Sequence, residues 1–154
     1  MLRALMMGAI LAAAVAAPSG ASAQQASFGT PVEAKAMIER AIRELKVDET
    51  AAIAKFRNGE TGFRSRDLYV FCFNSTNGRI LTTMAADMIG RDVRTLTDET
   101  GTNFGRELYN SALDGQITMS TGYAYRRPDS VAPVQRTSYL TRVGNVGCGV
   151  DYYK

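Results

Sequence analysis

Tyr123, Tyr125, Arg127, Arg136 and Tyr139 hold most of the recognition chemistry that this sequence offers. A tyrosine contributes an apolar ring with a polar tip, and an arginine a planar fork of donors that matches a carboxylate. Clustered in two neighbouring strands, such residues are suited to gripping a carboxylate. On a strand, alternation places Tyr123, Tyr125 and Arg127 on one face, so they belong to a pocket together or not at all. The same residues also read as exposed strand arginines beside core tyrosines, with no site between them.

Other chemistries find little support. The chain has no histidine, and so lacks the commonest general base and metal ligand. It has no G-x-S-x-G, no phosphate-cradling glycine loop and no clearly spaced carboxylate pair. No enzyme and no cofactor are expected. Asp92, Asp98 and Glu99 fall short of the D-x-D-x-D-G calcium pattern and read as turn and helix-cap residues. Asn74-Ser75-Thr76 matches a glycosylation acceptor, but its composition is that of a turn. Cys72 and Cys148 are the only cysteines. In an oxidising compartment one disulfide is the simplest outcome, with two separate buried thiols as the alternative.

Several elements must position these residues. Thr30-Pro31-Val32-Glu33 has the form of a capping box with proline in the first turn. Behind it Ala34, Met37, Ile38, Ala41, Ile42 and Leu45 recur at helical spacing, which predicts an amphipathic helix of about four turns. Asp48 suits the cap of a second helix ending at Asn58-Gly59; whether the two form one kinked rod is left open. Residues 68–73 are a continuous β-branched and aromatic run, suited to the middle of a sheet. The Asn77-Gly78 turn leads to a return strand at 79–83. A loop-rich stretch over 84–102 precedes a short helix at about 103–113. Strands follow at roughly 115–127, 135–143 and 145–153. Helices followed by a meander of strands predict an α+β fold with an antiparallel sheet.

Ahead of all this stands an export signal. Arg3 is a positive n-region, residues 5–17 are apolar, Pro18 breaks the run, and Ala21-Ser22-Ala23 is a cleavage site. The apolar run is too short to span a bilayer. Cleavage after Ala23 leaves a mature, periplasmic chain of about 130 residues, enough for one domain with a real core. Residues 24–29 form a leader and 30–154 the domain. The net charge of +3 is small and scattered, which excludes nucleic acid as a partner.

Several segments, in order, resemble single-Cache (Cache type 2) extracytoplasmic sensor domains. Leu68-Tyr69-Val70-Phe71 with the Asn77-Gly78 turn is similar to the first hairpin of that family. Ile89-Gly90-Arg91-Asp92 and Asp98-Glu99-Thr100-Gly101 resemble the segment that follows it. Gly122-Tyr123-Ala124-Tyr125-Arg126-Arg127-Pro128, Arg136-Thr137-Ser138-Tyr139 and Gly147-Cys148-Gly149-Val150 resemble the closing strands. Arg136 stands where the family has a lysine, replacing a point donor with a planar fork.

The resemblance implies a long N-terminal helix on a five-stranded antiparallel, PAS-like sheet with a short helical insertion. It makes the strands of Cys72 and Cys148 neighbours, so that the two could bond. It adds Thr83, Met84 and Asp87 to the pocket of Tyr123, Tyr125, Arg127, Arg136 and Tyr139. It implies capture of a small organic ligand such as a short carboxylate. Family members usually signal through a transmembrane helix, whereas this sequence ends at Lys154. A stand-alone member without stable membrane insertion is therefore expected, with a membrane sensor kinase or chemoreceptor as partner. The alternative is an interaction protein that keeps the fold while its own side chains fill the pocket.

Overall fold

The computed structural model describes residues 28–154; the expected signal peptide and most of the leader lie outside the described residues. The chain begins its regular structure with α1 (Pro31–Val47), whose N-terminus carries the full capping box. The Thr30 hydroxyl accepts from the Glu33 backbone N–H, and the Glu33 carboxylate accepts from the Thr30 N–H at 2.8 Å. Arg66 pairs with the same carboxylate, and these bonds hold the Glu33 pKa down to about 2. Ala34, Met37, Ile38, Ala41 and Leu45 form the buried stripe.

The rod is broken into two helices. Asp48 has extended backbone; its N–H closes the end of α1, and its carboxylate accepts from Ala51 N–H to open α2 (Glu49–Asn58). One residue serves both ends because donor and acceptor point opposite ways. Gly59, in the left-handed region, ends α2.

A six-stranded antiparallel sheet follows, one strand more than expected. The strands are β1 (Arg64–Ser65), β2 (Leu68–Asn74), β3 (Ile80–Thr82), β4 (Thr118–Arg126), β5 (Pro133–Val143) and β6 (Val146–Tyr153). Their order is β1-β2-β6-β5-β4, and β3 also pairs with β2. The extra strand, β1, is two residues long and turns into β2 through Arg66 at φ 56°. Two residues are too few to show a periodic pattern. Between β3 and β4 the loop includes 3-10 turns at Ala86–Met88 and Val93–Thr95 and the short helix α3 (Gly105–Ser111).

Both faces of the sheet are covered, which explains the unbroken apolar run in β2. Leu68, Val70 and Cys72 face α1 and α2 with Val146, Cys148 and Val150. Phe71 and Phe73 face the opposite way, toward Val93, Phe104 and Leu108. Central β6 lets those rings approach because it carries glycine beneath them. A Cβ on Gly147 would lie 2.5 Å from the Phe73 ring, and one on Gly149 2.4 Å from Phe71. β2 and β6 pair in register at Cys72 and Cys148, which are fully buried and bonded to each other. The disulfide lies on the helical face of the sheet.

Candidate ligand site

A cavity of about 170 Å³ lies between the sheet and the loop layer that covers its other face. Its floor is Tyr69 and Phe71 of β2, Ile80 of β3, Tyr123 and Tyr125 of β4, Arg136 of β5 and Asp151 of β6. Thr83, Met84, Ala85 and Met88 close one side, and Val93, Leu96, Phe104 and Leu108 form the roof. The space is not filled by the protein's own side chains.

The roof is held by the acidic loop residues. Asp98 Oδ1 accepts from the N–H groups of Thr100 and Thr102, while Oδ2 reaches across to the Ala124 N–H at 3.0 Å. Glu99 accepts from the Arg126 N–H at 2.8 Å. The bonds from Thr100 and Ala124 hold the Asp98 pKa down to about 2. Pinned in this way, the loop lays Phe104 on Tyr123, centroids 4.3 Å apart and 11° from parallel. The Tyr125 ring meets both edge-on. Asp92 accepts from Arg94 N–H and pairs with its side chain. All three carboxylates therefore have turn-stabilising partners.

At the polar end of the cavity stand Arg136, 9% exposed, and Asp151, 6% exposed. Asp151 Oδ1 accepts from the Ser138 hydroxyl at 2.5 Å. Its Oδ2 lies 3.7 Å from Arg136 Nη2, a charge contact rather than a hydrogen bond. Arg136 Nε has no hydrogen-bond partner among the described residues. The guanidinium lies 4.8 Å from the Tyr153 ring centroid and 5.9 Å from that of Tyr123. Burial works against its charge, but Asp151 and the tyrosines outweigh it and raise the pKa above the ordinary value. The same burial pushes the Tyr123 hydroxyl well up, with the Asp151 charge adding to it and Arg136 opposing. Tyr69 is raised for the same reasons. Both tyrosines are therefore neutral hydroxyls at physiological pH, able to donate or accept.

Of the residues singled out in the sequence, Thr83, Met84, Tyr123, Tyr125 and Arg136 meet at this cavity. The other three do not reach its wall. Asp87 is exposed on the 3-10 turn beside it. Tyr139 packs on the helical side against Tyr152. It is three residues from Arg136, and an odd separation on a strand means the opposite face. Arg127 lies beyond the end of β4, pairs with Asp129 at 2.5 Å and covers the rings of Phe28 and Tyr153. The expected single face of Tyr123, Tyr125 and Arg127 thus stops at Tyr125. Asp151, Tyr69, Phe71 and Phe104 were missed. A lone carboxylate in the otherwise apolar β6 was the available signal for Asp151.

Three solved structures share this architecture. A methyl-accepting chemotaxis protein from Vibrio parahaemolyticus RIMD 2210633 superposes with a TM-score of 0.58 at 16% identity, over 79% of this chain and 86% of that one. A periplasmic sensor domain of a chemotaxis protein gives 0.52 at 18% identity, over 78% and 87%. The third gives 0.52 at 16% identity, over 78% and 85%, and is described as a Cache chemosensory domain recognising a carboxylic acid. The chain has the Cache fold. No protein-family model matches the sequence, and no curated protein does. The Cache likeness of the fold therefore rests on these superpositions, which cover most of the described chain. No helix among the described residues is long and apolar enough to cross a membrane.

Proposed function

We propose that the protein is an exported, periplasmic sensor module that captures a small organic ligand bearing a carboxylate in this cavity. It carries out no chemistry of its own and presents the occupied state to a membrane chemoreceptor or sensor kinase. The observation that supports this reading is Arg136. A buried guanidinium with an unpartnered Nε, facing an apolar cavity, is under-satisfied by the protein itself. A carboxylate docking on the fork would supply the missing acceptors, and the aromatic wall would cover an apolar tail. The cavity is close in size to one that holds benzene, about 150 Å³, so ligands of fewer than about ten heavy atoms fit. The disulfide and the chemotactic likeness of the fold both suit an extracytoplasmic sensor.

The test is a thermal-shift and calorimetric screen of the exported protein against short organic acids and amino acids, with Arg136→Ala alongside. Saturable binding that Arg136→Ala weakens by at least about 30-fold is expected, the loss typical of a buried charged hydrogen-bond partner. A flat response over the panel, equally flat in the variant, would overturn the proposal.

A further inference from the structure

The charges that line the cavity say more about its occupant than its size does. Arg136 and Asp151 are the charged residues in its wall, one of each sign, so the protein's own charges balance there. Binding a simple monoanion would place two negative groups, its carboxylate and Asp151, on one guanidinium in a small, mostly apolar space. Like charges at such close range, against largely buried side chains, oppose each other.

The two wall charges are also incompletely used by each other. A carboxylate has room for about four acceptor contacts, and Asp151 takes one short bond from Ser138. Its other oxygen sits 3.7 Å from Arg136, too far for a hydrogen bond. Arg136 Nε in turn has no partner among the described residues. The site therefore sets an unpartnered donor beside a carboxylate oxygen that makes a charge contact, not a hydrogen bond, with the same guanidinium. Register makes this pairing a fixed feature of the fold. Arg136 and Asp151 face the cavity from adjacent strands, with Ser138 opposite Asp151 across the β5–β6 ladder.

We infer that the occupant is a small zwitterion, a 2-amino acid with an apolar side chain, held by Arg136 at its carboxylate and by Asp151 at its ammonium group. The two ligand charges sit on one carbon, side by side as the two wall charges are, and the complex stays neutral. The side chain then lies among Phe71, Phe104 and Tyr125, where no charged residue would meet it. This reading rests on the proposal that the cavity takes a carboxylate, and it narrows that proposal to one charge type.

The test compares matched probes on the exported wild-type protein by calorimetry at neutral pH. L-valine and L-leucine are set against 3-methylbutanoate and 4-methylpentanoate, which lack only the amino group, and against 2-methylpropylamine, which lacks the carboxylate. At least tenfold tighter binding of the amino acids than of either control class is expected. In Asp151→Asn the order should reverse, with the amino acids weakened by at least about 30-fold and the plain acids bound more tightly than in wild type. Acids that bind wild type as tightly as the amino acids, through Arg136, would overturn the zwitterion and leave the carboxylate sensor standing. Tighter binding of the amine would overturn it as well. If no probe binds and Arg136→Ala changes nothing, both readings fall. The wild-type comparison needs no variant, so it decides the matter even if Asp151→Asn does not fold.

Discussion

Replacing both cysteines, Cys72→Ala with Cys148→Ala, should remove a large part of this protein's stability and leave its ligand site intact. The bond joins residues 76 apart in the chain, on the two strands that form the centre of the sheet. Closing a loop of that length removes about 4 kcal/mol of entropy from the unfolded chain. A domain of this size is stabilised by about 5–15 kcal/mol in total, so the double variant stays folded with a much reduced margin. With a urea m-value of about 2 kcal/mol/M, the midpoint should fall by about 2 M. The m-value itself should rise, since the uncrosslinked unfolded state exposes more surface. Equilibrium urea titration followed by far-UV circular dichroism gives both quantities, with mass spectrometry confirming that the wild type is oxidised. Ligand affinity should not move, because the bond lies on the helical face of the sheet and the cavity on the other. A loss below about 1 kcal/mol, or a large loss of affinity in a variant that remains folded, would refute the argument.

Two further predictions concern the floor and the roof of the cavity. Gly149→Ala should destabilise by about 1–3 kcal/mol in thermal melts, since the new methyl must displace Phe71 or Leu140; an unchanged melting temperature would mean that the two rows are less closely packed than described. The Asp98 pKa of about 2 lies below its ordinary value, so its contribution to stability is complete above about pH 4 and is lost as the pH falls toward 2. Asp98→Asn should lower the urea midpoint at pH 6 and reduce the loss of stability between pH 4 and pH 2. Parallel pH profiles for variant and wild type would count against the pinned loop.

Much of the scaffold could be read locally. The capping box at Thr30 and Glu33, the shared cap at Asp48 and the Asn77-Gly78 turn each involve backbone groups within a few residues. Such bonds form or fail according to nearby side chains, so their pattern is written in short stretches of sequence. The dense run in β2 likewise announced a strand covered on both faces. The face of Tyr139 is also written locally, since its odd spacing from Arg136 assigns it to the helical side. Arg127 was different: nothing at that position says where β4 ends, and its partners Phe28 and Tyr153 come from opposite ends of the described chain.

The sequence alone therefore determined most of the helix and strand segments, and it singled out Tyr123, Tyr125 and Arg136, which meet at the cavity. Only the tertiary structure decided which groups surround them. Asp151 enters the site because β5 and β6 pair in one register, and Phe104 because a loop pinned through Asp98 lays it over the sheet. Charge balance in a cavity is a property of groups that share a small volume, and sequence order does not specify that volume. The neutral pairing of Arg136 with Asp151, on which the proposed zwitterionic ligand rests, becomes visible once the strands are laid side by side.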